Sequence, residues 1–190
     1  NHKNVASGTF ADNEAAYLAG SAAAETTKSK TVGFVGGQES EVISRFRAGF
    51  EAGVKSVDSS IKVKVNYVGS FGDPAKAKTI AQTQYASGAD IIYSVAGASG
   101  AGVFQEAKAE NENKTDADKV WVIGVDRDQK DDGNYTTKDG QKSNFVLASS
   151  IKEVGKALEN ISDKTMKNKF PGGTTTVFGL KDNGVSLATT

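Results

Sequence analysis

Between residues 31 and 167, short apolar runs alternate with segments whose apolar residues recur every three or four positions, and this alternation leaves few folds open. Runs at 31–35, 61–68, 91–95, 120–125 and 145–148 are the predicted strands. Helical signals lie between most of them. Ile43, Phe46, Phe50, Val54 and Val57 form one stripe over 41–57, and Ile151, Val154, Leu158 and Ile161 share a face over 151–167. Asp73-Pro74 reads as a cap and first-turn proline, opening a helix that Gly88 stops. Strands alternating with helices of this length build a parallel sheet with right-handed crossovers. The predicted fold is α/β: a doubly wound, mostly parallel five-stranded sheet with helices on both faces. In such sheets ligands bind just beyond the carboxyl ends of the strands, so the residues that follow each apolar run are the first place to look for a site.

Two terminal segments do not follow the repeat. Residues 1–27 hold a strand-like run at 5–10 and an alanine-rich helix over 13–26, with Asp12 as a candidate N-cap. Residues 168–190 hold strand-like runs at 174–179 and 185–187 that could pair with each other. Both segments read as pieces reaching away from the lobe formed by 28–167. The polar stretch 128–143 reads as a long surface loop or a small hairpin.

Composition narrows the function. The 190 residues carry 23 basic and 23 acidic side chains, a balance that argues against nucleic acid as the main partner, because phosphate binding needs a basic surface. Cysteine is absent and His2 is the single histidine, which leaves thiolate chemistry, histidine triads and histidine zinc sites without the side chains they need. No run approaches the roughly 18 apolar residues of a membrane span, and no signal-peptide pattern opens the chain.

The strand exits carry the candidate binding residues. The run 120–125 leads into Asp126-Arg127-Asp128-Gln129. Asp126 and Asp128 fit three roles: holding a vicinal diol, which a carboxylate does by accepting two hydrogen bonds; holding a metal together with Asp131 and Asp132; or capping a turn. No Asp-x-Asp-x-Asp-Gly calcium loop is present. Gly97-Ala-Ser-Gly-Ala-Gly lies between a strand and a helix but lacks the Gly-Lys-Ser/Thr of a P-loop and the dinucleotide glycine spacing, so no cofactor is expected. It reads as a tight turn whose backbone N–H groups could also meet a ligand oxygen. Phe46 is either core or a stacking surface, and Arg45 reads as a solvated neighbour. Lys152 is predicted at the start of a helix, where a cation opposes the macrodipole and needs a compensating partner. A phosphorylated receiver domain would want Asp at the tip of the third strand, where Ser94 and Gly97 stand instead.

Four ordered motifs then carry a resemblance: Phe10-Ala-Asp-Asn-Glu-Ala-Ala-Tyr-Leu-Ala-Gly, Val32-Gly-Phe-Val-Gly-Gly, Arg45-Phe-Arg-Ala-Gly-Phe-Glu-Ala-Gly-Val and Gly124-Val-Asp-Arg-Asp-Gln. Together they resemble the basic membrane protein family, the purine nucleoside-binding lipoproteins of bacterial ABC importers, over nearly the whole chain. The resemblance implies a two-lobed type I periplasmic-binding fold with a nucleoside in the cleft between lobes. It implies that Phe46 stacks on the base, that Asp126 and Lys152 hold the ribose, and that Gly97 and Gly100 belong to a ligand-facing loop. It further implies a first lobe and a lipid-modified cysteine before Asn1, so that 1–27 would be a hinge strand with a first-lobe remnant helix, 28–167 the second lobe, and 168–190 hinge or crossover strands. The partners implied are a purine nucleoside and an ABC permease, with contact to the membrane only through the lipid anchor and an extracytoplasmic location.

The expected function is therefore a receptor without catalysis. The alternatives are the sugar-binding effector domain of a transcription regulator, a sugar-uptake receptor, and a nucleoside hydrolase using Asp126 and Asp128. A single lobe is also expected to associate with itself through cleft and hinge surfaces.

Overall fold

A computed structural model describes residues 2–189; Asn1 and Thr190, the outermost positions of the two terminal segments, lie outside it. In chain order the elements are β1 (Ser7–Phe10), α1 (Asp12–Thr26), β2 (Thr31–Gly36), α2 (Glu41–Val57), β3 (Lys62–Tyr67), α3 (Pro74–Ala86), β4 (Ile91–Val95), α4 (Gly100–Asn111), β5 (Trp121–Asp126), β6 (Asn134–Thr136), β7 (Lys142–Asn144), β8 (Val146–Lys152), α5 (Val154–Met166), β9 (Thr175–Phe178) and β10 (Val185–Thr189). The central sheet has the order β10-β8-β5-β4-β2-β3. Its strands run parallel except β10, which pairs antiparallel with β8.

The apolar runs form strands because both sheet faces are covered. Every residue of β4 is buried, and so is every residue of β2 after Thr31. On one face α1 and α2 pack over Phe34, Tyr93 and Ile123; on the other, residues of α3 and α4 cover Val35, Ile92 and Val122. Local chemistry sets the helix starts. Ser40 Oγ accepts from the Ile43 N–H at 3.3 Å before α2, and the Asp73 carboxylate accepts from the Lys76 N–H at 3.0 Å before α3. Between α1 and α2 the backbones themselves touch. A Cβ on Gly53 would stand 2.0 Å from the Tyr17 carbonyl oxygen, and one on Gly49 would stand 2.2 Å from that of Asn13.

Several expectations from the sequence change. The two C-terminal runs do not pair with each other: β9 joins β1 in a separate two-stranded parallel sheet, and β10 becomes a sixth strand of the central sheet. The turn between them is tight, with Gly184 N–H bonded to the Gly179 carbonyl and Asn183 left-handed at φ 52°, and it sends the chain to a different sheet. Helix α1 does not reach away from the lobe, because its buried alanines Ala16, Ala19 and Ala23 are part of the core under α2. Asp12 is the first residue of α1 and Ala11 the cap. Helix α5 starts at Val154, leaving Ile151 in β8, and its apolar face is largely open: Ala157 is its buried residue, while Val154 is 51% and Leu158 61% exposed. The stretch 128–143 forms most of the β6–β7 hairpin, which ends at Asn144. No helix among the described residues is long and apolar enough to cross a membrane.

Candidate functional site

Parallel β2, β4, β5 and β8 end at one edge of the sheet, and the sequence candidates meet there. Asp126 pairs with Ile151, so Lys152 is the next residue along β8. A cavity of about 380 Å³ at this edge is lined by Ser40, Val42, Ile43, Phe46, Phe71, Val95, Gly97, Val125, Asp126 and Lys152. It therefore gathers Phe46, Gly97, Asp126 and Lys152. Gly100 is placed differently: it opens α4 and is buried over Ser94, whose Oγ would stand 2.8 Å from a Cβ at that position. A second cavity of about 600 Å³ shares Gly97, Val125 and Asp126 with the first and extends toward Phe104, Gln105 and Gln129.

Asp126 is the most informative residue of the edge. It has φ 69°, a left-handed conformation that costs an L-residue on the order of 1 kcal/mol or more and persists only where its surroundings impose it. Those surroundings are visible. Arg127 N–H donates to the Val125 carbonyl at 2.9 Å, closing a tight turn around Asp126. The Gln129 side chain folds back so that its Oε1 accepts from the Val125 N–H at 2.9 Å, and the Gln129 N–H donates to Ser149 Oγ at 3.0 Å. Gly124 makes room for this, since a Cβ there would stand 2.8 Å from both Gln129 Oε1 and Ser149 Oγ. The rest of the acidic run has local partners. Asp128 caps a turn by accepting from the Lys130 N–H at 2.9 Å, and Asp132 meets Arg127 at 2.7 Å and Gln129 at 3.1 Å. Among the described residues no group of three His, Cys, Asp or Glu side chains could hold a metal ion.

Two phenylalanines serve the cavity in different ways. Phe46 is 3% exposed and belongs to the core, its ring edge-on to Tyr93 at 6.3 Å between centroids. Phe71, which the sequence reading passed over, is 42% exposed. Its ring lies against two glycine turns, with Cδ1 at 2.3 Å from a Cβ built on Gly37 and at 3.3 Å from one built on Gly97. Buried Ser99 holds the Phe71 loop in place. Its N–H donates to the Phe71 carbonyl at 2.9 Å, its Oγ to the Ser70 carbonyl at 2.9 Å, and that Oγ also accepts from the Asp73 N–H at 2.8 Å. The glycine-rich turn after β4 thus anchors an aromatic side chain as well as lining the cavity.

Lys152 is the last residue of β8, not part of a helix, and its compensating partners are carboxylates. Its Nζ lies 3.3 Å from Asp126 Oδ1, 3.4 Å from Asp12 Oδ1 and 5.0 Å from the Phe46 ring centroid. Arg45 is likewise engaged, meeting Asp12 Oδ2 at 3.2 Å and Glu41 Oε1 at 2.9 Å. Asp12 is the residue that sequence reasoning missed here. The signal available was an acid beside an apolar helix start, which reads equally well as a cap.

Behind these charges the Tyr93 hydroxyl and Ser150 Oγ share a 2.6 Å hydrogen bond, and Ser150 Oγ reaches the Gly124 carbonyl at 3.4 Å. Burial pushes the Tyr93 phenol far above its ordinary range. The Ser150 hydrogen bond opposes this, and the negative charges of Asp126 and Asp12 add to it, so the phenol stays neutral. The edge therefore combines an open carboxylate, a tethered ammonium and apolar ring surface. This chemistry suits a neutral ligand with a flat apolar part and adjacent hydroxyls.

Comparison with known proteins supplies the family. The model for Bmp, ABC transporter substrate-binding protein PnrA-like, matches residues 1–190. The chain is 60% identical over 185 residues to the ABC transporter nucleoside-binding protein BmpA of Lactococcus lactis subsp. cremoris, covering 97% of this chain and 53% of that protein. It is 36% identical over 186 residues to Basic membrane protein D of Borreliella burgdorferi, covering 97% of this chain and 50% of that protein. Among solved structures, an ABC transporter system solute-binding protein of Aeropyrum pernix K1 superposes with a TM-score of 0.78 at 26% identity, covering 99% of this chain and 51% of that one. The chain thus spans about half the length of the relatives it matches. By family model and by curated relatives alike, the chain belongs to the Bmp family of PnrA-like ABC transporter substrate-binding proteins.

Proposed function

We propose that this chain supplies one lobe of an ABC-importer receptor and that its strand-end cavity takes a purine nucleoside. The observation that carries the reading is Asp126, a strained and solvent-accessible carboxylate standing beside a fixed ammonium at the rim of an aromatic-lined cavity. Its oxygens accept from the two ribose hydroxyls, and Lys152 donates to a sugar oxygen. The base lies between the Phe71 ring and the apolar floor that includes Phe46. Backbone groups near Gly97 complete the contact, with Gly100 shaping the turn from behind. The 60% identity to a protein named as nucleoside-binding favours nucleosides over free sugars.

In this reading the ligand is held and released unchanged, and an ABC permease receives it from the intact two-lobed protein. The intact protein is extracytoplasmic and lipid-anchored. The β1–β9 pair and α5 face a second lobe, because a lone two-stranded sheet is marginal and the α5 face lacks cover. Binding by this chain alone is then weaker than by the intact receptor, since contacts from the opposite wall are missing.

The test is calorimetric titration of guanosine, adenosine, cytidine and ribose into the full-length protein and its Asp126→Ala variant. Tight purine-nucleoside binding that collapses in the variant supports the proposal. Ribose binding without nucleoside binding would transfer the site to sugar uptake or sugar sensing.

A further inference from the structure

The ligand reading makes no use of the most buried charge at this edge. Asp12 is 3% exposed, and among the described residues its side-chain partners are two cations, Arg45 at Oδ2 and Lys152 at Oδ1. Oδ1 accepts no hydrogen bond, so the ammonium 3.4 Å away is its compensation. Five charged groups thereby alternate in sign: Glu41, Arg45, Asp12, Lys152 and Asp126. The two outer acids are open to solvent and the central one is not, with side-chain exposures of 90% for Glu41, 57% for Asp126 and 3% for Asp12.

This arrangement matters for Lys152. A lysine is a point charge on a flexible four-carbon stem and loses rotamer freedom whenever it is fixed. With Asp126 as its sole partner, the ammonium would either close onto that carboxylate, taking lone pairs that a diol needs, or swing into water. A second carboxylate behind it shares the charge and fixes its position before a ligand arrives, which lowers the ordering cost of binding.

We propose that Asp12 is a positioning residue: without touching the ligand, it shares the Lys152 ammonium with Asp126 and holds it beside Phe46, so that Asp126, contacted at Oδ1, keeps lone pairs for ligand hydroxyls. The identity of the ligand rests on the nucleoside reading above; the positioning does not.

Two measurements on the full-length protein test it. In protein labelled with ¹⁵N-lysine, an ammonium resonance protected from rapid exchange is expected, absent in Lys152→Met and also lost in Asp12→Asn. A resonance that persists in Asp12→Asn overturns the proposal. Guanosine titration of wild type, both single variants and the double variant is the second arm. Asp12→Asn is expected to weaken binding about tenfold, with no further loss when placed in the Lys152→Met background. Independent, additive losses, or an Asp12→Asn affinity equal to wild type, overturn the proposal. Should Asp12→Asn fail to fold, Asp12→Glu keeps the charge but displaces it by one methylene, and the same two readouts are expected to weaken. A full-length wild type that binds no guanosine while showing the protected resonance would count against the nucleoside reading and leave the positioning supported.

Discussion

Gly37 and Phe71 lie so close that a Cβ added to the glycine would stand 2.3 Å from the ring's Cδ1. The ring owes its place in the cavity to the absence of a side chain at position 37. Gly37→Ala is therefore expected to push Phe71 away and weaken nucleoside binding as much as Phe71→Ala does, by about tenfold given the usual worth of a base–aromatic stack. The double variant should lose no more than either single one, and additive losses in titration would refute the dependence.

The two phenylalanines should separate stability from binding. Phe46→Ala removes a core ring and is expected to cost about 3 kcal/mol of stability, whatever it does to the ligand. Phe71→Ala removes a ring that is partly exposed and should cost less, no more than about 1.5 kcal/mol. Urea melts of both variants decide this.

Asp126 offers a trade between function and strain. Glycine tolerates φ 69° at no steric cost, so Asp126→Gly should unfold at a higher temperature, by the equivalent of about 1 kcal/mol, while binding is lost. A variant that loses both stability and binding would make Asp126 a structural residue.

Alkaline stability follows from two buried phenols. Burial raises Tyr85 well above its ordinary value of 10.0, with the nearby carboxylates of Glu110, Glu106 and Asp90 adding to it, and burial raises Tyr93 as well. A raised phenol favours the protonated form in the folded state. The stability it contributes is present below pH 10 and is lost above it, as the unfolded chain begins to ionise. Denaturation midpoints should stay level up to about pH 10 with respect to these groups and fall beyond it, and Tyr93→Phe should make that fall shallower.

Open apolar surface on α5 predicts self-association of this chain. Sedimentation should show concentration-dependent mass, and Leu158→Glu, at a position 61% exposed, should return the monomer without loss of stability. A monomer at all concentrations in the wild type would remove the surface from consideration.

The central strands were legible because burial on both faces writes itself as unbroken apolar runs, as in Ile91–Val95, and α2 because its stripe repeats at helical spacing. The same logic brought Asp126, Gly97, Phe46 and Lys152 to one edge, since each follows or faces a strand exit. What stayed hidden depends on contacts between distant parts of the chain. The pairing of β9 with β1 and of β10 with β8 is fixed by tertiary geometry, and the four-residue, largely exposed β1 and β9 carry almost no periodic signal. Asp12 and Lys152 come from opposite ends of the sequence, so nothing local marks either as the other's partner. Phe71 was hidden for another reason: one aromatic in a glycine-rich turn has no period, and its role depends on two glycines in other turns. The open face of α5 was not foreseeable, because amphipathic spacing says a helix has an apolar face without saying what covers it.

The contact of α1 with α2 through bare backbone has a mechanical consequence. With no side chains between them at Gly49 and Gly53, the two helices have no compliant layer in which to slide, and α1 moves with the sheet as one lever arm. Three short joints connect the β1–β9 ribbon and α5 to the rest of the molecule: Ala11 ahead of α1, Glu153 between β8 and α5, and the Gly179–Gly184 turn ahead of β10. The first two are the chain neighbours of Asp12 and Lys152, so the ion pair that borders the cavity ties two of the three joints together.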